Sequence, residues 1–328
     1  MTPRRRRLVG LGLGAMVMAR ARAAAPPPPG QRRLGVLLYG QEQSWAWLAL
    51  GVRQALAALG WVEGTNLRTE WHYAEGDAVR LAALAAVLVR SGVDAVLTRG
   101  STATRALQRA SQTLPIITGV GDPVGSGFAQ TLARPGGNIT GISYAIVETT
   151  QKQLQFLREV VPRLAHLTII QRANLRGDVA EGTRTVEAAA QTLALSTRRV
   201  QMADAEGLSQ ALDRASSPGT QAVYVFDFGP PPDPKSVAAA LLRVRLPSIC
   251  TDRGFVRAGG LMSYNLDWDD QTQRSAAQID KVLRGEAPGR IPFEFPIRSD
   301  LAINARTAAA LGLSIPPALR LRADLVIE

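Results

Sequence analysis

The sequence is short of the residues that build reactive centres. Its 328 positions hold one cysteine, Cys250, and two histidines, His72 and His166. A lone cysteine excludes an intramolecular disulfide framework and any Cys-x-x-Cys zinc or redox site. Two histidines far apart in the chain give no ligand spacing and no His-based relay. Nucleophile motifs are missing too. The residues two before Ser101, Ser126 and Ser263 are Arg99, Val124 and Leu261, so none of these serines stands in Gly-x-Ser-x-Gly. None of the three lysines, Lys152, Lys235 and Lys281, follows a serine by three positions. Charged residues make up 20% and hydrophobic residues 46%, an ordinary globular balance. It excludes disorder over most of the chain and a multi-span membrane protein. The length fits about two domains of ~150 residues.

The basic excess is unevenly placed. The net charge is +11, yet six arginines (Arg4, Arg5, Arg6, Arg7, Arg20 and Arg22) lie within the first 25 residues, which carry no acid, so the rest carries +5. The remaining arginines are scattered, which reads as a solvated surface rather than a phosphate-tracking stripe, and nucleic acid is not expected. The apolar run at 8–19 (LVGLGLGAMVMA) follows the four arginines, and Ala21-Arg22-Ala23 and Ala23-Ala24-Ala25 offer small-x-small cleavage points. That is the layout of a secretory signal peptide, expected over residues 1–25, with twin-arginine export a further option. No cysteine stands near the cleavage point, so no lipid anchor is expected. Residues 26–32 begin with four prolines and form a stiff tether.

From residue 33 the pattern alternates. Residues 33–39 (RLGVLLY) read as a buried strand, and Leu48, Val52, Leu56 and Leu59 as one helical face closed by Gly60. Further strands are expected at 67–72, 94–98 and 115–119, with helices between them. The alternation restarts with a helix at 147–161. Strands at 167–170, 196–200, 222–226, 247–250 and 259–264 follow, then a helix at 271–283, a strand at 301–304 and a helix at 305–311. This predicts an α/β fold of two doubly wound parallel-sheet lobes with a ligand cleft between them. The late helix and strand imply that the chain crosses between lobes more than once. The expected division is 33–143 plus about 266–288 for the N-terminal lobe, and 144–265 plus about 289–328 for the C-terminal lobe.

In open α/β sheets, ligands sit beyond the carboxyl ends of strands. Gln41 and Glu42 follow the first strand. Gly100, Ser101 and Thr102 follow Arg99 and open a helix, whose free N–H groups would receive a carboxylate or other anion. Ser101 either adds a hydroxyl to that site or serves as the N-cap. Asp122 and Pro123 lie in GVGDPVGSG, where Val124 replaces the third glycine of a dinucleotide loop, so no nicotinamide and no other cofactor is expected. Asp122 either holds an ammonium group or makes an Asp-Pro turn. Arg172, Asn174, Asp227 and Asp252 follow strands of the second half. Cys250 reads as a small core residue, Trp47 as packing at a helix start, and Trp45 as packing or as a stacking surface for a planar ligand.

Residues 119–143 (GVGDPVGSGFAQTLARPGGNITGIS) resemble a segment typical of the ABC-transporter substrate-binding protein family that includes tryptophan- and tyrosine-type binding proteins. Residues 59–67 (LGWVEGTNL), 73–76 (YAEG), 258–264 (AGGLMSY) and 311–317 (LGLSIPP) are similar to other signatures of that family, so the resemblance spans residues 33–328. It implies a type I periplasmic-binding-protein-like fold. It also implies a periplasmic, monomeric soluble shuttle, not an enzyme. Such a chain captures a small molecule, for example an amino acid or similar small carboxylate, by lobe closure and delivers it to an ABC permease in the inner membrane. The hinges would lie near 142–144, 264–267 and 289–296. Two alternatives stay open: a periplasmic sensor subunit, and a hydrolase. The sequence departs from relatives at residues 100–103, where they carry a Thr-Pro-Ala type loop, and at residues 41–45.

Overall fold

The computed structural model describes residues 30–172, 178–202, 207–215, 219–225 and 234–328. The expected signal segment, Asn174 and Asp227 lie outside these residues. The first sheet has the order β2-β1-β3-β4-β5, all parallel. Its strands are β1 (Arg32–Leu38), β2 (Leu67–Tyr73), β3 (Ala95–Arg99), β4 (Ile116–Val120) and β5 (Ile139–Ser143). The last three are buried along their whole length, as a parallel sheet covered on both faces requires.

The helices form where apolar spacing and caps agree. In α1 (Glu42–Ala58), Leu48, Val52 and Leu56 make the buried face. In α2 (Ala78–Ser91), the Asp77 carboxylate accepts from the Val79 and Arg80 N–H groups, and Gly92 ends the helix in the left-handed region. Next comes α3 (Ser101–Ala110). One core lies under α1 and includes Val36, Leu97 and Ile117; the other, on the opposite face, joins Leu88, Val96 and Leu107.

The second sheet has the order β12-β11-β10-β9-β8-β6-β7. The chain reaches it through α4 (Ile146–Val160), then β6 (His166–Arg172), α5 (Asp178–Thr192), β7 (Ser196–Met202), α6 (Gly207–Ala215) and β8 (Ala222–Val225). It continues through α7 (Pro234–Arg243), β9 (Ser248–Cys250), α8 (Arg253–Arg257) and β10 (Met262–Leu266). It then returns to the first lobe as α9 (Trp268–Leu283), which packs on α1 and β3–β5. Trp61, fully buried, donates its indole N–H to Asp280 at 2.8 Å, and Arg284 lies over the Trp61 ring. Gly51 allows the close approach of α1 to α9: a Cβ there would sit 3.1 Å from the Thr272 methyl.

After a short 3-10 turn at Pro288–Arg290, the chain still follows the first sheet. The Ser143 N–H donates to the Glu294 carbonyl at 2.8 Å and the Glu294 N–H to the Gly141 carbonyl at 3.0 Å. It then enters the second sheet as β11 (Ser299–Asn304), followed by α10 (Ala305–Leu311), α11 (Pro317–Arg322) and β12 (Leu325–Ile327). The β10–β11 pair is antiparallel, while the other pairs of this sheet are parallel. The cause is local. β10 leaves the sheet at Leu266 and β11 enters beside it at Ser299, so the two strands run in opposite senses.

Three expectations are corrected. The strand expected at 259–264 begins at Met262, because Gly259 and Gly260 make a turn: Gly259 has φ 108°, and a Cβ on Gly260 would lie 2.2 Å from the Phe255 ring. Residues 139–143, where the sequence pattern predicts no strand, form a fifth strand. Its Gly141 is obligatory, since a Cβ would lie 1.8 Å from the Thr118 carbonyl oxygen. The short elements α8, α11 and β12 were not anticipated.

Candidate functional site

The turn from β3 into α3 is the most unusual strand-to-helix junction described. Alternation along β3 sends Val96 to one face and Ala95, Leu97 and Arg99 to the other, against α9. Gly100 follows at φ 85°, ψ 152°, a conformation suited to glycine, and takes the N-cap position without any side-chain cap. Ser101 is therefore the first helical residue and not the cap; the expected capping role does not hold. Thr104 donates its hydroxyl to the Gly100 carbonyl at 2.7 Å.

Arg99 is 4% exposed and is the only buried basic side chain among the described residues. Its guanidinium donates to the Tyr144 hydroxyl at 3.0 Å and the Ser275 hydroxyl at 3.3 Å. Its Nε has no partner, and no described carboxylate forms an ion pair with it. Most other partly buried arginines have acids: Arg32 pairs with Asp94, Arg33 with Glu70, Arg253 with Asp300, Arg284 with Asp280, and Arg274 with both Asp270 and Glu294, whereas Arg105 lies over the Phe128 ring and donates to Gln108 and the Ser126 carbonyl. Gly119 makes room for the Arg99–Tyr144 contact. A Cβ at that position would come within 2.0 Å of the Tyr144 hydroxyl and 2.7 Å of Arg99 Nη1.

An aromatic row begins beside this cation. The Tyr144 ring meets Trp268 edge-on at 6.3 Å, Trp268 lies 5.2 Å from Trp47, and Trp47 lies 6.1 Å from Trp45. Trp47 and Trp268 are about two-fifths exposed, so Trp47 does not pack into the core as its helical spacing suggested. Trp45 leans over Gly40 and packs partly against the core, with its indole N–H buried and unpartnered. Tyr144 and Trp268 stand next to two of the places where the chain passes between lobes.

The remaining candidates sit at other strand ends. Gln41 occupies the N-cap position of α1 without a side-chain cap, and Glu42 is the first residue of that helix; both are exposed. Asp122 is exposed and its carboxylate accepts from the Gly125 N–H at 2.8 Å, which is the turn arrangement. Pro123 is buried, and its carbonyl accepts from the Phe128 and Ala129 N–H groups. Asp252 caps α8 through the Gly254 N–H at 2.8 Å. Arg172 ends β6. Cys250 is fully buried, and burial pushes its thiol well above the ordinary value, as expected of a packing residue.

The crossings are tied to one another. The Asp267 N–H donates to the Arg298 carbonyl at 3.0 Å, and the Asp270 carboxylate accepts from the Ile297 N–H and from Arg274, each at 3.0 Å. Burial works to raise the Asp270 value, but the Arg274 hydrogen bond and the Ile297 and Arg298 backbone bring it below the ordinary carboxylate value. Among the described residues no cluster of three His, Cys, Asp or Glu side chains is placed to hold a metal, and no helix is long and apolar enough to cross a membrane.

Two parallel-sheet α/β lobes with several crossings are the architecture of type I periplasmic binding proteins. The chain matches the ABC transporter substrate binding protein family over residues 37–327, and it belongs to that family. It is 22% identical over 294 residues to a tyrosine-binding protein of Clostridioides difficile, covering 86% of this chain and 81% of that one. Two solved structures are similar in fold. One is an ABC domain from Streptococcus pneumoniae in complex with L-Trp: TM-score 0.76, 23% identity, 91% of this chain and 100% of that one. The other is a conserved domain protein from Vibrio cholerae: TM-score 0.77, 20% identity, 90% and 99% covered.

Proposed function

We propose that this chain is an extracytoplasmic carrier that captures a small solute between its lobes, closes on it, and delivers it unaltered to an ABC permease. The observation that carries the closure reading is the hydrogen-bonded set of crossings near Tyr144, Asp267 and residues 295–298. These few positions are where a rotation of one lobe against the other would be absorbed. Residues 33–143 with α9 would move as one body, and the second sheet with its helices as the other. Ligand would favour the closed form only through contacts made from both sides. The turns holding Gln41, Glu42, Gly100, Ser101, Thr102, Asp122 and Pro123 would supply one side. Arg172 at the end of β6 and Asp252 after β9 would supply the other, together with Asn174 and Asp227, which lie outside the described residues.

The arginine-led apolar run at the start of the chain supports export, and an aromatic amino acid is one ligand suggested by the relatives. A thermal-shift screen of amino acids, nucleosides, small carboxylates and medium extract tests this reading. A ligand at ~100 times its dissociation constant stabilises by about 2.7 kcal/mol, which raises the midpoint by several degrees. Recovery of the compound intact supports a carrier. Its conversion to product would instead support an enzyme.

A further inference from the structure

We infer that this protein has a second ligand site, a cavity within the C-terminal lobe at Lys152, Gln155, Tyr264, Ser299 and Asp324, which takes a small neutral polyhydroxyl compound such as a monosaccharide or cyclic polyol. The inference stands apart from the carrier reading, because none of the residues assigned above to the interlobe cleft lines this cavity.

The cavity holds about 290 Å³. Helix α4 supplies Lys152, Gln155, Phe156 and Glu159 to its lining. Arg322 at the end of α11 and Asp324 just before β12 supply another part. The antiparallel pair β10–β11 supplies Tyr264 and Leu301, which face each other in register. Every lining residue belongs to the second sheet or to the elements around it, so the site is complete within one lobe.

Three observations point to a ligand. First, Tyr264 is 5% exposed and its ring meets Phe156 edge-on at 5.1 Å. Its hydroxyl has no hydrogen-bond partner among the described residues, yet it is not sealed from solvent. A tyrosine that buries its ring ordinarily gives its hydroxyl a partner. Tyr224 in the same core does so, donating to Gln153 at 2.7 Å. Second, the charges around the cavity cancel. Arg322 pairs with Glu159 and lies over the Phe156 ring. Asp324 accepts from the Leu301 N–H at 2.8 Å and keeps acceptor capacity, while Lys152 forms no ion pair among the described residues. An anion would meet Asp324 and a cation would meet Lys152. Both side chains are exposed, where an ion pair with a ligand is screened and contributes little. Third, the polar lining mixes donors and acceptors. Lys152 donates, Asp324 accepts, and the Gln155 amide and the Ser299 and Tyr264 hydroxyls do both. Ligand hydroxyls also do both, and Phe156, Tyr264 and Leu301 suit the C–H face of a sugar or polyol ring.

The test is saturation-transfer NMR and titration of the full chain with D-glucose, D-galactose, D-ribose and myo-inositol, beside acetate, choline and glycine betaine as charged and zwitterionic controls. The expected result is binding of at least one polyhydroxyl probe and none of the controls at this site. Tyr264→Phe keeps the ring and removes only the unpartnered hydroxyl. It should weaken that probe by about three- to tenfold, the range of one hydrogen bond, and leave the urea midpoint of the ligand-free chain unchanged. Lys152→Ala and Gln155→Ala alter exposed positions of α4, and each should weaken the same probe. Polyhydroxyl binding that all three variants leave intact would place the ligand elsewhere and overturn the inference. So would control compounds that compete at this site as well as the polyhydroxyl probes, or failure of all four polyhydroxyl probes. None of these failures touches the carrier reading, whose ligand is sought in the cleft between the lobes.

Discussion

The junctions after β3 and after β9 are built from similar parts and end differently. After β9, Asp252 spends its carboxylate on the Gly254 N–H, and Cys250 turns its sulfur toward the same loop, so that turn satisfies itself. After β3, Gly100 brings no capping side chain, and the neighbouring Arg99 is buried without a carboxylate. One junction is closed and the other lacks an anionic partner. The contrast teaches that a strand-end position alone does not make a binding residue. What matters is whether the polar group there is already engaged within the protein.

The strongest way to break the comparison is Gly119→Val. Its side chain would enter the space shared by Arg99 and the Tyr144 hydroxyl. We expect a loss of about 1–3 kcal/mol, as for an overpacked interior, read from the urea midpoint. Asp252→Ala should cost about 1 kcal/mol, the worth of an N-cap, and Ser101→Ala should change stability by less than ~0.5 kcal/mol because Ser101 caps nothing. Equal losses in the two variants would erase the difference between the junctions.

The smallest expected effect is a pH slope. Burial lowers the His72 value and outweighs the opposing pull of Glu70, so the folded chain binds the proton less readily than the unfolded chain. Stability should be full above the ordinary value of 6.5 and decline as the pH falls below it. His72→Gln should flatten that part of the urea-midpoint profile.

Much of the fold was legible in the residues. Leu48, Val52 and Leu56 gave the α1 face, and the apolar runs gave β1, β3, β4 and β8. β5 was hidden by Gly141, which reads as a breaker although the Thr118 backbone demands it. The short α8 and β12 carry too few turns or residues for a periodic signal. The site was legible only as loops. Asp122 and Asp252 follow strands, as the sequence indicates, but their carboxylates are engaged in turns. Arg99 was visible beside Gly100, yet only alternation along β3 combined with the packing of the distant α9 reveals its burial. Trp268 and Tyr144 meet because the chain crosses between lobes at both places, and sequence spacing carries no trace of that.

Closure on a bound solute is the central claim, and small-angle scattering of the chain with and without its tightest ligand tests it most directly. The account predicts a smaller radius of gyration in the saturated protein, as the lobes turn about Tyr144, Asp267 and residues 295–298. An unchanged radius with ligand fully bound would contradict it.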